Sequence, residues 1–118
     1  MSLSAWRVTA GLLGLTGVAM GAIAAHALSD PAAAAATERA SLYQILHALA
    51  LLHVASLAGR PAMMARIALT LGMLLFCGGI YLKYLAQLSW AGSMAPYGGT
   101  AMMVGWLFIA LTYKPAQH

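Results

Sequence analysis

Four apolar runs, separated by short polar breaks, account for most of this 118-residue chain. Each run approaches the roughly 20 residues that a helix needs to cross about 30 Å of hydrocarbon. Charged residues make up only 7% of the chain and hydrophobic residues 63%, whereas about a quarter of a soluble domain is charged. Such a composition cannot form a surface that water solvates, so we predict an all-α polytopic membrane protein.

The polar breaks divide the chain into four predicted transmembrane spans within one domain, residues 1–118. Short connections make consecutive helices antiparallel neighbours, which favours a four-helix bundle. Asp30 and Pro31 are typical of a helix start, and the alanine run that follows favours a short interfacial helix before the second span. The predicted spans cover residues 6–28, 40–58, 63–88 and 97–113.

The first run also resembles a secretory signal, since it follows Arg7 and ends near an A-x-A triplet around His26. Its apolar part is longer than a signal requires, so we expect it to be retained as a span. The spacing Gly17-x3-Gly21-x3-Ala25 predicts a groove of small residues where another helix approaches closely. The complete predicted helix-packing set is Gly17, Gly21, Gly79, Gly98, Gly99 and Gly105.

The six basic residues are scattered, with no cluster that would neutralise the phosphates of a nucleic acid. We therefore interpret them as signals of membrane orientation. A cytoplasmic N-terminus places four of them on the inner side and two outside: Arg7, Arg60, Arg66 and Lys114 against Arg39 and Lys83. This bias predicts a multi-pass protein of the inner (plasma) membrane with both termini in the cytoplasm.

Polar side chains concentrate in the second span, where Tyr43, Gln44 and His47 fall within about one third of the helix circumference. In an antiparallel bundle, His26 and Tyr81 come to the outer ends of the first and third spans. These five residues therefore predict one shared polar locus in the outer half of the bundle.

Polar groups inside a membrane are costly, so they tend to be paired or functional. We favour a hydrogen-bonded network that joins helices; the alternative is a ligand, proton or metal role for His26 and His47. Axial haem ligation needs both imidazoles at one depth, and His26 lies about two turns outward of His47. His53 faces elsewhere, and Cys77 is the only cysteine. We predict no catalytic residue, no metal site and no cofactor.

Four segments resemble the signatures of a known family. They are residues 21–28 (GAIAAHAL), residues 43–51 (YQILHALAL), residues 78–81 (GGIY), and residues 96–99 (PYGG) followed by the Gly-Trp pair at 105–106. The resemblance is to DUF423, a family of small four-span membrane proteins, and it covers nearly the whole chain.

The chain departs from the DUF423 pattern at three places. Ala24 replaces a usual glycine, Cys77-Gly78-Gly79 replaces a serine between a phenylalanine and a glycine, and Ala95 replaces a threonine before the proline. A hydroxyl at those points is therefore not expected to be essential. The resemblance implies the fold, and no biochemical activity is established for the family.

Three functions remain open. We favour a non-enzymatic accessory, assembly or homo-oligomeric component whose partners are the lipid bilayer and other membrane proteins or a second copy, with no nucleic acid. The alternative is a transporter or channel for a small solute, ion or proton, with His26, Gln44, His47 and Tyr81 of the polar locus lining the route; a chain this short would have to dimerise to form one. The third is a haem- or quinone-binding redox subunit.

Overall fold

The computed structural model describes residues 2–113, which form four α-helices and one 3-10 helix. The elements are α1 (Leu3–His26), α2 (Pro31–Ala55), α3 (Arg60–Leu85), the 3-10 helix (Ser89–Met94) and α4 (Ala95–Ala110). No strand occurs in the part of the chain that the structure describes, so the all-α prediction is confirmed. Lys114, one of the predicted inner basic residues, lies outside the described residues.

Each predicted span corresponds to one helix, and each helix is shifted toward the N-terminus by two residues or more.

The start of helix α3 shows why the connection before it is short. It begins at Arg60 because Gly59 adopts a φ of 103°, a backbone conformation that glycine reaches at little cost. Pro61 follows in the first turn, where a missing N–H is harmless.

We predicted a short, separate interfacial helix after the first span, and this prediction is wrong. Helix α2 runs without a break from Pro31 to Ala55. The Asp30 carboxylate accepts a hydrogen bond from the Ala33 amide at 2.9 Å and caps the helix. Ala33 and Ala36 are buried, whereas Ala32 and Ala35 are exposed, so one face of the alanine run packs against the rest of the bundle.

Two of the consecutive helix pairs, α1 with α2 and α3 with α4, pack antiparallel through their glycines. Between α1 and α2, Gly21 lies against Ser41 and Gly17 lies against Ile45, so residue numbers rise along one helix as they fall along the other. Helices α3 and α4 show the same relation. Their close pairs are Gly72 with Met102, Phe76 with Gly98, and Leu69 with Gly105.

Small residues fill much of the core, and large apolar residues cover the outside. Ala40, Ala62 and Ala65 are fully buried, whereas Leu15 is 66% and Leu49 60% exposed. An extensive apolar surface is typical of a protein that contacts a membrane or a partner. By length and hydropathy, α1 and α3 are the two described helices that could cross a membrane. Helix α4, with 16 residues, is roughly 24 Å long.

Candidate functional site

Gln44 joins three helices through its amide group. Its nitrogen donates to the Leu13 carbonyl at 2.8 Å and to the Thr16 hydroxyl at 2.7 Å, both on α1. Its oxygen accepts a hydrogen bond from the Tyr81 hydroxyl on α3 at 2.8 Å. Gln44 is only 4% exposed. Both amide hydrogens and the oxygen are therefore engaged, and the network holds α1, α2 and α3 together.

His47 joins α2 to α4. Its Nδ1 lies 2.6 Å from the Tyr43 carbonyl, and because a carbonyl only accepts, Nδ1 must carry the proton. Nε2 then accepts a hydrogen bond from the Trp106 indole N–H at 2.9 Å. His47 is 4% exposed, and both ring nitrogens are engaged. Ligation of a metal or haem would require one of these hydrogen bonds to break.

The Tyr43 ring lies on the outer surface of the bundle instead of pointing into it. The ring is 5.1 Å from that of Phe76, and the residue is 43% exposed. It lines a groove of about 350 Å³ between α2, α3 and α4, together with Trp106 and Thr100. The groove is mainly apolar and aromatic, so it fits a hydrocarbon chain better than a hydrated ion.

The five residues of the predicted polar locus do not form one site. Gln44 and Tyr81 form the network with α1, whereas His47 bonds to Trp106 on α4. Gln44 and His47 reach different helices because residues three apart on a helix differ by about 60° in direction. Tyr43 contributes its carbonyl to His47. His26 is the last residue of α1 and is exposed, so the structure does not bring it into either network.

Three polar partners were not predicted from the sequence. Thr16 accepts from Gln44, Ser41 donates to the Gly17 carbonyl at 2.7 Å, and Trp106 donates to His47. Each carries a recognisable signal, since hydroxyls within an apolar span and a partly buried indole N–H all require partners. The sequence alone does not say which partner each of them finds.

Five of the six predicted packing glycines lie where helices or loops approach closely, namely Gly17, Gly21, Gly79, Gly98 and Gly105. A side-chain carbon on the sixth, Gly99, would have only the Phe76 ring within 4 Å, at 3.9 Å. The predicted groove included Ala25, but Ala25 is exposed, and Ala24 is the buried residue at this end of α1. The buried residues of α1 are seven apart at Ala10, Gly17 and Ala24, a spacing that keeps them on one face.

Arg66 connects helices at the end of the bundle where α2 passes into α3. Its Nη1 donates to the carbonyls of Val54 and Leu57, each at 2.9 Å. Its guanidinium carbon lies 5.7 Å from the centroid of the Trp6 ring on α1. A cation at a helix C-terminus is favourable because it donates hydrogen bonds to the last carbonyls and is attracted to the negative end of the helix dipole. Arg66 therefore has a structural role in joining α2 and α3.

Within residues 2–113, no three side chains of His, Cys, Asp or Glu come together as metal ligands would. Cys77 is buried, and its thiol donates to the Ala40 carbonyl at 3.3 Å. The hydrogen bonds of Ser41, Gln44 and His47 described above run between helices.

These features together define a small helical membrane protein. Much of its surface is apolar, and hydrogen bonds of Gln44, His47 and Ser41 join its helices. The chain belongs to the DUF423 family, whose description is "Protein of unknown function (DUF423)" and whose family model matches residues 20–99. The family resemblance carried by the sequence motifs is thereby confirmed.

Relatives support the same assignment. A UPF0382 membrane protein of Haemophilus influenzae is 35% identical over 105 residues, covering 84% of this chain and 85% of the relative. The UPF0382 membrane protein SSP2132 of Staphylococcus saprophyticus is 32% identical, covering 82% and 87% respectively. The UPF0382 membrane protein SAB0533 of Staphylococcus aureus is 30% identical, covering 82% and 85%. No solved structure matches the chain.

Proposed function

We propose that this protein is a non-enzymatic component of the inner membrane that acts by lateral association, with a second copy of the chain as its partner. In this proposal all four helices cross the bilayer as one antiparallel bundle, with both termini in the cytoplasm. The observation that carries the proposal is a pair of glycines, Gly11 and Gly14, at which a side-chain carbon would make no contact closer than 4.0 Å within the chain.

Most glycines in the helices have an evident reason to be glycine. A side-chain carbon on Gly21 would lie 2.8 Å from the Ser41 hydroxyl, and one on Gly79 would lie 2.8 Å from the Ala91 carbonyl oxygen. A carbon on Gly11 would meet nothing within 4 Å, and one on Gly14 would meet only the Ala48 methyl at 4.0 Å. Because glycine in a helix costs about 1 kcal/mol relative to alanine, these two positions suggest close approach by another molecule.

Gly11 and Gly14 lie in an apolar groove of about 280 Å³ between α1 and α2. Its floor includes Ala10 and Ala48, and Leu49 forms part of its border. A side-chain carbon on Gly78 of α3 would also meet nothing within 4 Å, but no second glycine of this kind lies on an adjacent turn of α3. A second copy related by a two-fold axis would place the same small residues of both chains against each other.

The hydrogen bonds within the bundle favour this proposal over transport. A conduction path needs polar groups that can exchange partners with a solute. Gln44 and His47, the two most buried polar side chains considered for that role, already bond to Tyr81, Thr16 and Trp106. A transported ion would therefore have to displace contacts that hold the helices together.

Self-association is tested by energy transfer between donor-labelled and acceptor-labelled copies of the full chain in liposomes. Gly11→Leu places its Cβ where no other atom lies within 4 Å and adds bulk to the groove, so it should keep the fold and weaken association at least about tenfold, equivalent to about 1.4 kcal/mol. Leu71→Phe is the matched control, since it adds bulk at an exposed site on α3 outside the groove.

Two results would contradict self-association through this groove. One is energy transfer by the wild type no greater than that of an unrelated membrane protein at the same protein-to-lipid ratio. The other is equal transfer by the Gly11→Leu and wild-type proteins.

A further inference from the structure

A polar cavity of about 420 Å³ lies at the end of the bundle where α1 leads into α2. Its lining includes Ser29 and Asp30 from that connection, and Lys83, Tyr84 and Gln87 from α3 and the segment after it. None of these residues takes part in the Gln44 or His47 networks. The cavity is therefore separate from the polar contacts inside the bundle.

The cavity is lined by one cationic and one anionic side chain, Lys83 and Asp30. Within residues 2–113, no ion pair of 4.0 Å or less joins Lys83 to Asp30. The Lys83 ammonium lies 5.1 Å from the Tyr84 ring centroid. One carboxylate oxygen of Asp30 accepts from the Ala33 amide, which leaves the other available. A cavity lined by both an ammonium group and a carboxylate is complementary to a ligand that carries both charges.

The position of the cavity indicates where such a ligand comes from. Both helices that are long and apolar enough to cross a membrane end beside it, α1 at His26 and α3 at Leu85. Leu82, Leu85 and Leu88 are exposed on the same part of the chain. With the helices across the bilayer, as the proposed function requires, the cavity lies at headgroup depth with apolar surface immediately below it.

We propose that this cavity binds the headgroup of a zwitterionic aminophospholipid of the phosphatidylethanolamine type. The Lys83 ammonium contacts the lipid phosphate, and Gln87 and Ser29 supply further donors. The Asp30 carboxylate accepts hydrogen bonds from the lipid ammonium. Phosphatidylcholine fits less well because its methylated nitrogen has no N–H to donate, and phosphatidylglycerol offers no cation to Asp30.

The backbone at Gln87 agrees with a role for its side chain. Gln87 has a φ of 60°, the only positive φ of a non-glycine residue within residues 2–113. Glycine would adopt this conformation at less cost, so the side chain is retained despite the backbone penalty. Gln87→Gly should therefore keep or raise stability while it weakens lipid binding.

Binding is measured on the full chain in detergent, by native mass spectrometry with short-chain phosphatidylethanolamine, phosphatidylcholine and phosphatidylglycerol. We expect the wild type to prefer the ethanolamine lipid by about tenfold, the scale of one charge-assisted hydrogen bond. Asp30→Asn should abolish that preference and still cap α2, because asparagine is an equally good N-cap. Lys83→Met should weaken binding of all three lipids at least about fivefold.

Glu38→Gln removes another exposed carboxylate of α2, outside the residues that line the cavity, and should leave the preference unchanged. Equal binding of the three lipids, or a preference that survives Asp30→Asn, would overturn the proposal. Soluble O-phosphoethanolamine tests the source of the ligand, since binding as tight as that of the lipid would rule out the lipid as the specific ligand. These measurements use detergent-solubilised protein, so their failure is distinguishable from a failure of self-association in liposomes.

Discussion

Neighbouring glycines at the start of α4 differ in how closely other atoms approach them. A side-chain carbon on Gly98 would lie 2.7 Å from the Phe76 Cα and 2.8 Å from the Gly72 carbonyl oxygen, both backbone atoms. One on Gly99 would lie 3.9 Å from the flexible Phe76 ring. The two residues share a helix, a depth and a sequence motif, so a comparison of their alanine variants isolates the effect of close packing.

Gly98→Ala should lower the free energy of unfolding by about 1–3 kcal/mol, because backbone atoms of α3 cannot move aside cheaply. Gly99→Ala should leave it unchanged or raise it by up to about 1 kcal/mol, since alanine favours the helix. Unfolding of both variants in mixed detergent, followed by circular dichroism, measures the difference. Similar stability of the two variants would show that α3 and α4 are not in contact at Gly98.

The hydrogen bond between Gln44 and Tyr81 can be measured with a double-mutant cycle. Gln44→Leu and Tyr81→Phe each remove one partner, and the combined variant removes both. Hydrogen bonds between membrane helices contribute about 0.6 kcal/mol on average and up to about 1.7 kcal/mol. We expect a coupling energy in that range from unfolding free energies. Additive effects of the two substitutions would mean that the hydroxyl and the amide are not bonded to each other.

At the scale of the helices, Arg66 fixes the C-terminal end of α2. Arg66→Met keeps much of the aliphatic side chain but removes the guanidinium hydrogen bonds to the Val54 and Leu57 carbonyls, and it removes the cation from the Trp6 ring. Hydrogen bonds to charged groups contribute about 1.5–3 kcal/mol, so a loss of that order is expected in the unfolding free energy. Arg60→Met, at an exposed position in the first turn of α3, is the control and should change stability by less than about 0.5 kcal/mol.

The helices could be predicted from the sequence, but several of their contacts could not. Apolar length and the Gly59-Arg60-Pro61 break identify the helices, because these signals depend on local chemistry. The continuity of α2 was missed, since alanine is compatible with both a surface helix and a packed one. The pairing of His47 with Trp106 was missed because it joins residues 59 positions apart in the chain. Such pairs depend on how the helices are rotated against one another, which spacing within one helix does not determine.

At the scale of the whole molecule, the proposed topology requires the connection after α1 and the 3-10 helix to lie on the same side of the membrane. The connection between α2 and α3 must then lie on the other side. Ser29, Ser93 and Ser56 are exposed residues in these three segments, and each is suitable for cysteine substitution. Cys77 is buried, so the native thiol should react little in the folded protein.

An impermeant maleimide added to intact spheroplasts should label Ser29→Cys and Ser93→Cys, whereas Ser56→Cys should be labelled only after the membrane is opened. This pattern follows because α1, α2 and α3 each carry the chain to the opposite side in the proposed topology. Labelling of Ser29→Cys and Ser56→Cys from the same side would mean that α2 does not cross the membrane. Labelling of Ser29→Cys and Ser93→Cys from opposite sides would mean that α2 and α3 do not both cross it. Either result would also contradict the placement of the Asp30 and Lys83 cavity at the depth of the lipid headgroups, because that placement requires α1 and α3 to end at the same membrane surface.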